Sequence, residues 1–154
     1  MELSRLIDAP MVLQRYSRLA YDCNRPPDSP DAMPEISEIT HIPGNRNLTP
    51  ADRPAGIHRI YRPFHAAIAE LLDSRAAEGV RSMVVTVPRF TPVYKGTPRA
   101  VELGVLHDRD THLSEKLIAI FPGVDARLNE SYGPKDGMLH PLNLHAAPAA
   151  SRTS

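Results

Sequence analysis

The chain has 154 residues, a usual single-domain length, and 42% of them are apolar, enough for one modest hydrophobic core without disulfide or metal staples. Eighteen basic residues offset eighteen acidic ones, so no uniform field draws the chain to nucleic acid or to an anionic membrane. Cys23, the single cysteine, has no internal partner, no charged-then-apolar leader opens the sequence and no apolar run is long enough to span a bilayer; a disulfide scaffold and a membrane span are excluded, and a reducing, cytoplasmic setting is expected.

In chain order, Leu3, Leu6 and Ile7 have helical spacing within Met1 to Ala9 and predict a short helix that needs packing to persist. Met11 to Tyr16 reads as a strand, and Leu19 to Tyr21 as a second extended piece. From Pro26 to about Leu48 the prolines and Gly44 predict a long loop anchored by Ile36, Ile39 and Ile42; a loop of that length is a site candidate. Thr49-Pro50-Ala51-Asp52 has the order of a helix start. Ile57, Ile60, Tyr61, Phe64, Ile68, Leu71 and Leu72 then form one apolar stripe, with a kink expected at Pro63 and an end at Gly79. Met83 to Val87 and Leu103 to His107 read as buried-type strands around a proline-rich loop from Pro88 to Arg99. A shorter amphipathic helix over His112 to Phe121 and a last strand over Val124 to Leu128 complete a pattern that predicts an α/β layer architecture. Beyond Gly133 the chain turns to Ala, Pro and Ser, so residues 138–154 are expected to form a disordered tail.

Among motifs, the glycine runs that cradle phosphates and the serine flanked by glycines of a nucleophile elbow are both missing; Lys95-Gly96-Thr97 lacks the preceding glycine. Cys23 beside an expected strand reads as inert packing. The pairs His107/His112 and His140/His145 are each five apart, which does not place two imidazoles on one helical face for a metal. His58 and His65, two helical turns apart, are expected to share a face; His65 either hydrogen-bonds at the helix edge or borders a polar pocket. Arg18, Asp22, Asn24 and Arg25 form a polar corner, and Asn45 and Arg46 a second one beside Gly44. Two readings stand for these groups: a fork for carboxylates, or an internal network that pins loops to the core.

Tyr16-Ser17-Arg18-Leu19 running into Asp22-Cys23-Asn24-Arg25-Pro26 resembles a signature of N-formylglutamate amidohydrolases, as do Ile42-Pro43-Gly44-Asn45-Arg46, Arg62-Pro63-Phe64-His65, Phe90-Thr91-Pro92-Val93-Tyr94-Lys95-Gly96, Gly104 through Asp110, and Asn129-Glu130-Ser131-Tyr132-Gly133. The similarity runs from about Leu6 to about Gly137, with order and spacing preserved, so residues 1–137 are taken as a partial domain of that family. The resemblance implies a three-layer α/β/α sandwich of the zinc-exopeptidase-like type, here incomplete. It also implies hydrolysis of an N-formyl amino acid such as N-formylglutamate to formate and glutamate, with a place in histidine degradation. In that chemistry zinc activates a water while arginines hold the substrate's carboxylates. Arg18, Arg25 and Arg46 suit the last role, with Asp22, Asn24 and Asn45 shaping the pocket and His65, Thr91 and Tyr94 completing the candidate substrate-binding set.

The chain departs from the family where a histidine and a serine are expected before Phe-Thr-Pro, because Pro88 and Arg89 stand there. Members also begin before the point matched by Met1 and continue past Gly137. The expectation is therefore a truncated relative with no assignable metal ligand and impaired turnover, or else a silent fragment that binds a dicarboxylate or a partner. Missing strands would leave sheet edges through which the chain self-associates.

Overall fold

A computed structural model describes residues 2–107, 111–130, 132 and 137–146. The signature positions Asp110, Ser131 and Gly133, and the tail from residue 147, lie outside the described residues. The first helix, α1 (Glu2–Leu6), forms where the spacing of Leu3 and Leu6 predicts it. Residues 11–16 form no strand. A turn closes at Ala20, whose N–H donates to Ser17 O at 2.9 Å.

The long loop is ordered by short local elements. A 3-10 turn at Pro30–Ala32 is capped by the Ser29 hydroxyl, which accepts from the Asp31 N–H. The hairpin β1 (Ile36–Ser37) and β2 (Thr40–His41) follows, and then a 3-10 turn at Pro43–Asn45.

The dominant element is a continuous helical rod made of α2 (Asp52–Gly56), a π-helical turn (Ile57–Tyr61) and α3 (Arg62–Ala77). Its start differs from the expected Thr49 N-cap with Pro50 at the first helical position: the helix opens at Asp52 after Ala51, and the Thr49 N–H and hydroxyl both donate to Asp52 Oδ2, at 2.6 and 2.7 Å. Its end is a left-handed cap at Gly79 (φ +72°). There the Val80 N–H reaches Arg75 O and the Gly79 N–H reaches Ala76 O. In the middle, a π turn directly precedes Pro63, where the sequence predicts a kink. The extra residue lets the Arg62 N–H donate to Ile57 O just before the proline, which has no N–H to give. That insertion also corrects the expected pairing of His58 with His65: His58 points outward to Arg62, whereas His65 is buried.

Met83 to Val87, predicted as a buried strand, is neither: Met83, Val85 and Val87 are exposed and no strand forms there. The proline-rich loop instead contains the hairpin β3 (Val93–Tyr94) and β4 (Thr97–Pro98). Lys95 (φ +48°) and Gly96 (φ +80°) take the positive φ angles of its two-residue turn, so the Lys-Gly pair serves a hairpin. The strands β5 (Leu103–Val105) and β6 (Ala126–Leu128) are parallel, connected through α4 (His112–Ala119), and match the expected β-α-β order.

The expected disordered tail is partly replaced by α5 (His140–His145), which opens with Pro141 at its first turn. Met138 and Leu139, just before it, are buried. The described strands form three separate two-stranded sheets rather than one central sheet, so the architecture is a mixed α/β one. The core gathers Tyr21, Cys23, Ala32, Met33 and Tyr61, with Leu48, Ile57, Ile60 and Phe64 packed around it; the rod therefore buries one stripe against the loop that precedes it. No helix among the described residues is long and apolar enough to cross a membrane.

Candidate functional site

The polar corner folds inward on itself. The Asp22 carboxylate is buried; its Oδ1 accepts from the Asn24 N–H and from Asn24 Nδ2, both at 3.0 Å, and Arg18 Nε lies 3.7 Å from Oδ2. Asn45 is also buried, and its Nδ2 donates to Leu19 O (2.8 Å) and Pro34 O (2.9 Å), stapling the long loop to the turn before the core. Arg46 is exposed and lies 3.7 Å from Glu35. Arg25 differs, since its Nε is buried with no hydrogen-bond partner among the described residues. A Cβ at Gly137 (φ +71°) would stand 3.0 Å from Arg25 Nη1, so the glycine leaves room for the guanidinium.

His65 belongs to a second cluster. Its Nε2 faces the Cys23 carbonyl at 3.1 Å and therefore carries the proton, which leaves Nδ1 to accept from His145 Nε2 at 2.8 Å. The Tyr61 hydroxyl shares a 2.7 Å hydrogen bond with His140 Nε2. Burial pushes His65 down to about 4 and also lowers His140 and His145, so these rings are neutral near pH 7. The thiol of Cys23 is buried, accepts from Gln14 Nε2 at 3.3 Å, and is pushed up by burial; it is held as an unreactive protonated group.

A cavity of about 390 Å³ lies elsewhere, between the chain that flanks the β3/β4 hairpin and the start of β5. Pro88, Arg89 and Phe90 line one side, Arg99, Leu103 and Gly104 another, and Glu130 and Tyr132 close it. Gly104 is required by close approach: a Cβ there would meet the Glu130 backbone oxygen at 2.9 Å. Arg99 is the centre of the arrangement. Its guanidinium carbon stands 4.7 Å from the Tyr94 ring centroid, 5.1 Å from that of Tyr132 and 5.5 Å from that of Phe90. Yet its Nη1 is buried with no acceptor among the described residues. A buried donor left unmet costs about 1–3 kcal/mol, which marks Arg99 as a candidate to take an acceptor.

Both carboxylates of the cavity are already engaged. Glu102 Oε2 accepts from the Asp125 N–H at 2.9 Å, and Glu130 Oε1 accepts from Arg127 Nη1 at 2.6 Å. Arg127 also grips Asp125 through Nε and Nη2, each at 2.7 Å, and its guanidinium holds the Asp125 carboxyl below the usual carboxylate range.

Of the residues singled out from sequence, Arg18, Asp22, Asn24, Asn45 and Arg46 meet around the long loop, and His65 joins α5. Tyr94 stacks on Arg99, whereas Thr91 donates to Glu38 Oε1 at 3.1 Å and ties two exposed loops. Sequence reasoning does not single out Arg99, Phe90 or Tyr132 as a group. The available signal was local: a cation three residues past a Lys-Gly turn, where an aromatic hairpin partner is in reach.

As for the zinc implied by resemblance, no group of three or more His, Cys, Asp or Glu side chains among the described residues is arranged to hold a metal ion. Those residues do not fit a zinc cradle of the usual kind.

The fold matches that of a protein described as "the crystal structure of gene product Atu2144 from Agrobacterium tumefaciens", with 48% sequence identity and a TM-score of 0.83 over 88% of this chain. The match spans 55% of that protein's length. No curated protein matches the chain. A model of the N-formylglutamate amidohydrolase family matches residues 1–152, a longer stretch than the resemblance from about Leu6 to about Gly137 and one that takes in α5. On that match, which covers nearly all of its 154 residues, the chain belongs to the N-formylglutamate amidohydrolase family.

Proposed function

We propose that the Arg99 cavity is where an N-acyl dicarboxylic amino acid is held, and that the chemistry it serves is hydrolysis of the formyl amide of N-formylglutamate to formate and glutamate. The observation that carries this reading is the position of Pro88 and Arg89. In the family these places are expected to hold a histidine and a serine, and here they line the cavity that also contains the unmet Arg99 Nη1. Phe90 and Tyr132 give the lining an apolar part, and Arg99 and Arg89 supply cations that suit carboxylates. In family chemistry zinc would supply an activated water. The described residues offer no set of ligands for it, so no step of this chain is assigned to the metal.

A second reading is dicarboxylate binding with impaired or absent turnover. Pro88 favours it, because a proline side chain in the cavity wall has no lone pair to give a metal. In either reading a cytoplasmic setting and a place in amino-acid breakdown are proposed from the family alone. A completed three-layer sandwich, with β5 and β6 inside it, is likewise proposed. Formate release from N-formylglutamate, measured beside the zinc content of the purified chain, separates the two readings. Formate at a rate proportional to protein, retained after purification to homogeneity, supports hydrolysis; ligand binding with no formate supports the silent binder.

A further inference from the structure

We propose that Arg99 is the anchor for a carboxylate of the ligand, its guanidinium held ready by three rings in the wall of the cavity. This rests on the cavity being the substrate site and names the group that recognises the substrate there. Three observations carry it together. First, the ring centroids of Phe90, Tyr94 and Tyr132 all stand within 5.5 Å of the guanidinium carbon, which positions the cation without supplying it an oxygen acceptor. Second, Arg99 lines a cavity large enough for a small amino-acid derivative, and its buried Nη1 has no acceptor among the described residues. Third, the carboxylates in the lining, Glu102 and Glu130, accept from the Asp125 N–H and from Arg127, and neither forms an ion pair with Arg99 among the described residues. The side chain loses little freedom when the guest arrives, because the rings have already ordered it. A planar carboxylate matches a guanidinium edge, and Arg89 at the rim offers a second cation to the other end of a dicarboxylate.

The test uses the full chain and isothermal titration with glutarate, a dicarboxylate without the formyl amide, and with glutaramide, its uncharged counterpart. Glutarate is expected to bind and glutaramide not. Arg99→Gln is expected to weaken glutarate on the order of 30-fold or more, and Arg99→Lys, which keeps charge but loses the fork, by an intermediate factor. A parallel measurement needs no variant: glutarate is expected to shift the Arg99 guanidinium nitrogen resonances of the native chain. No glutarate binding, equal affinity in Arg99→Gln, or unmoved Arg99 resonances overturns the assignment. Glutarate binding through Arg99 without formate release from N-formylglutamate removes the hydrolytic reading and leaves this one standing. Formate release with an unchanged KM in Arg99→Gln removes this one alone.

Discussion

His65 cannot be both buried and protonated without losing its hydrogen bond with His145, in which Nδ1 is the acceptor. The pH consequence follows from its direction of shift. In the folded chain the ring titrates near 4, against an ordinary value of 6.5, so between those values the unfolded chain takes up a proton that the folded chain refuses. Stability is therefore complete above about pH 6.5 and falls as the pH drops toward 4, with a slope that approaches about 1.4 kcal/mol per pH unit for one proton. His140 and His145 shift in the same direction and add to it. Urea unfolding between pH 7 and 5, above the range in which carboxylates titrate, is expected to show the midpoint falling, and His65→Phe to flatten the fall. A midpoint that stays constant over that window contradicts the placement of the cluster. At this scale the sequence was legible for residue type and not for partner. Asn45 was singled out as a polar group at a loop corner, but its partners are the carbonyls of Leu19 and Pro34, positions 26 and 11 residues away, and no local rule points to them.

Gly104 shows what an element contributes to the cavity. β5 passes the backbone at Glu130 so closely that the glycine is the contact. Gly104→Ala is expected to push β5 away from that backbone, destabilising the fold by roughly 1–3 kcal/mol and loosening the wall that faces Arg99. A lower urea midpoint with unchanged slope checks it; a native midpoint shows that the strand can shift without cost. The elements that were legible are those whose instructions are local. Thr49 and Asp52 hold each other across three residues, Gly79 takes a left-handed angle that other residues resist, and α4 and β6 follow from apolar spacing. Met83 to Val87 has an equally strong strand pattern, yet no strand among the described residues pairs with it. A strand is completed by a partner's hydrogen bonds, and apolar β-branched residues specify only the wish for one.

Across the whole molecule, that unpaired pattern sets an expectation about association. Met83, Val85 and Val87 are exposed, as are Met11, Leu13 and Tyr16, and the described strands make only two-stranded sheets with open edges. We expect a second copy of the chain to pair along the exposed Met83–Val87 segment, giving mass that rises with concentration in sedimentation equilibrium, and Val85→Lys to return it toward the monomer. A constant monomer mass across the concentration range rules this out.

Composition, helix punctuation and the order of short signatures were enough to place the chain in its family and to position the long helix, α4 and the β5/β6 pair, because each of those depends on contacts within a few residues or on patterns repeated along them. The cavity was decided only in three dimensions. Phe90, Arg99, Gly104 and Tyr132 are separated by up to 42 residues, and their meeting depends on how the hairpin lies against the parallel strands. The same holds for His65 and His145, 80 residues apart. A single sequence states which side chains are present, while burial, which turns an arginine into an unmet donor and a histidine into a neutral one, is a property of the packed chain.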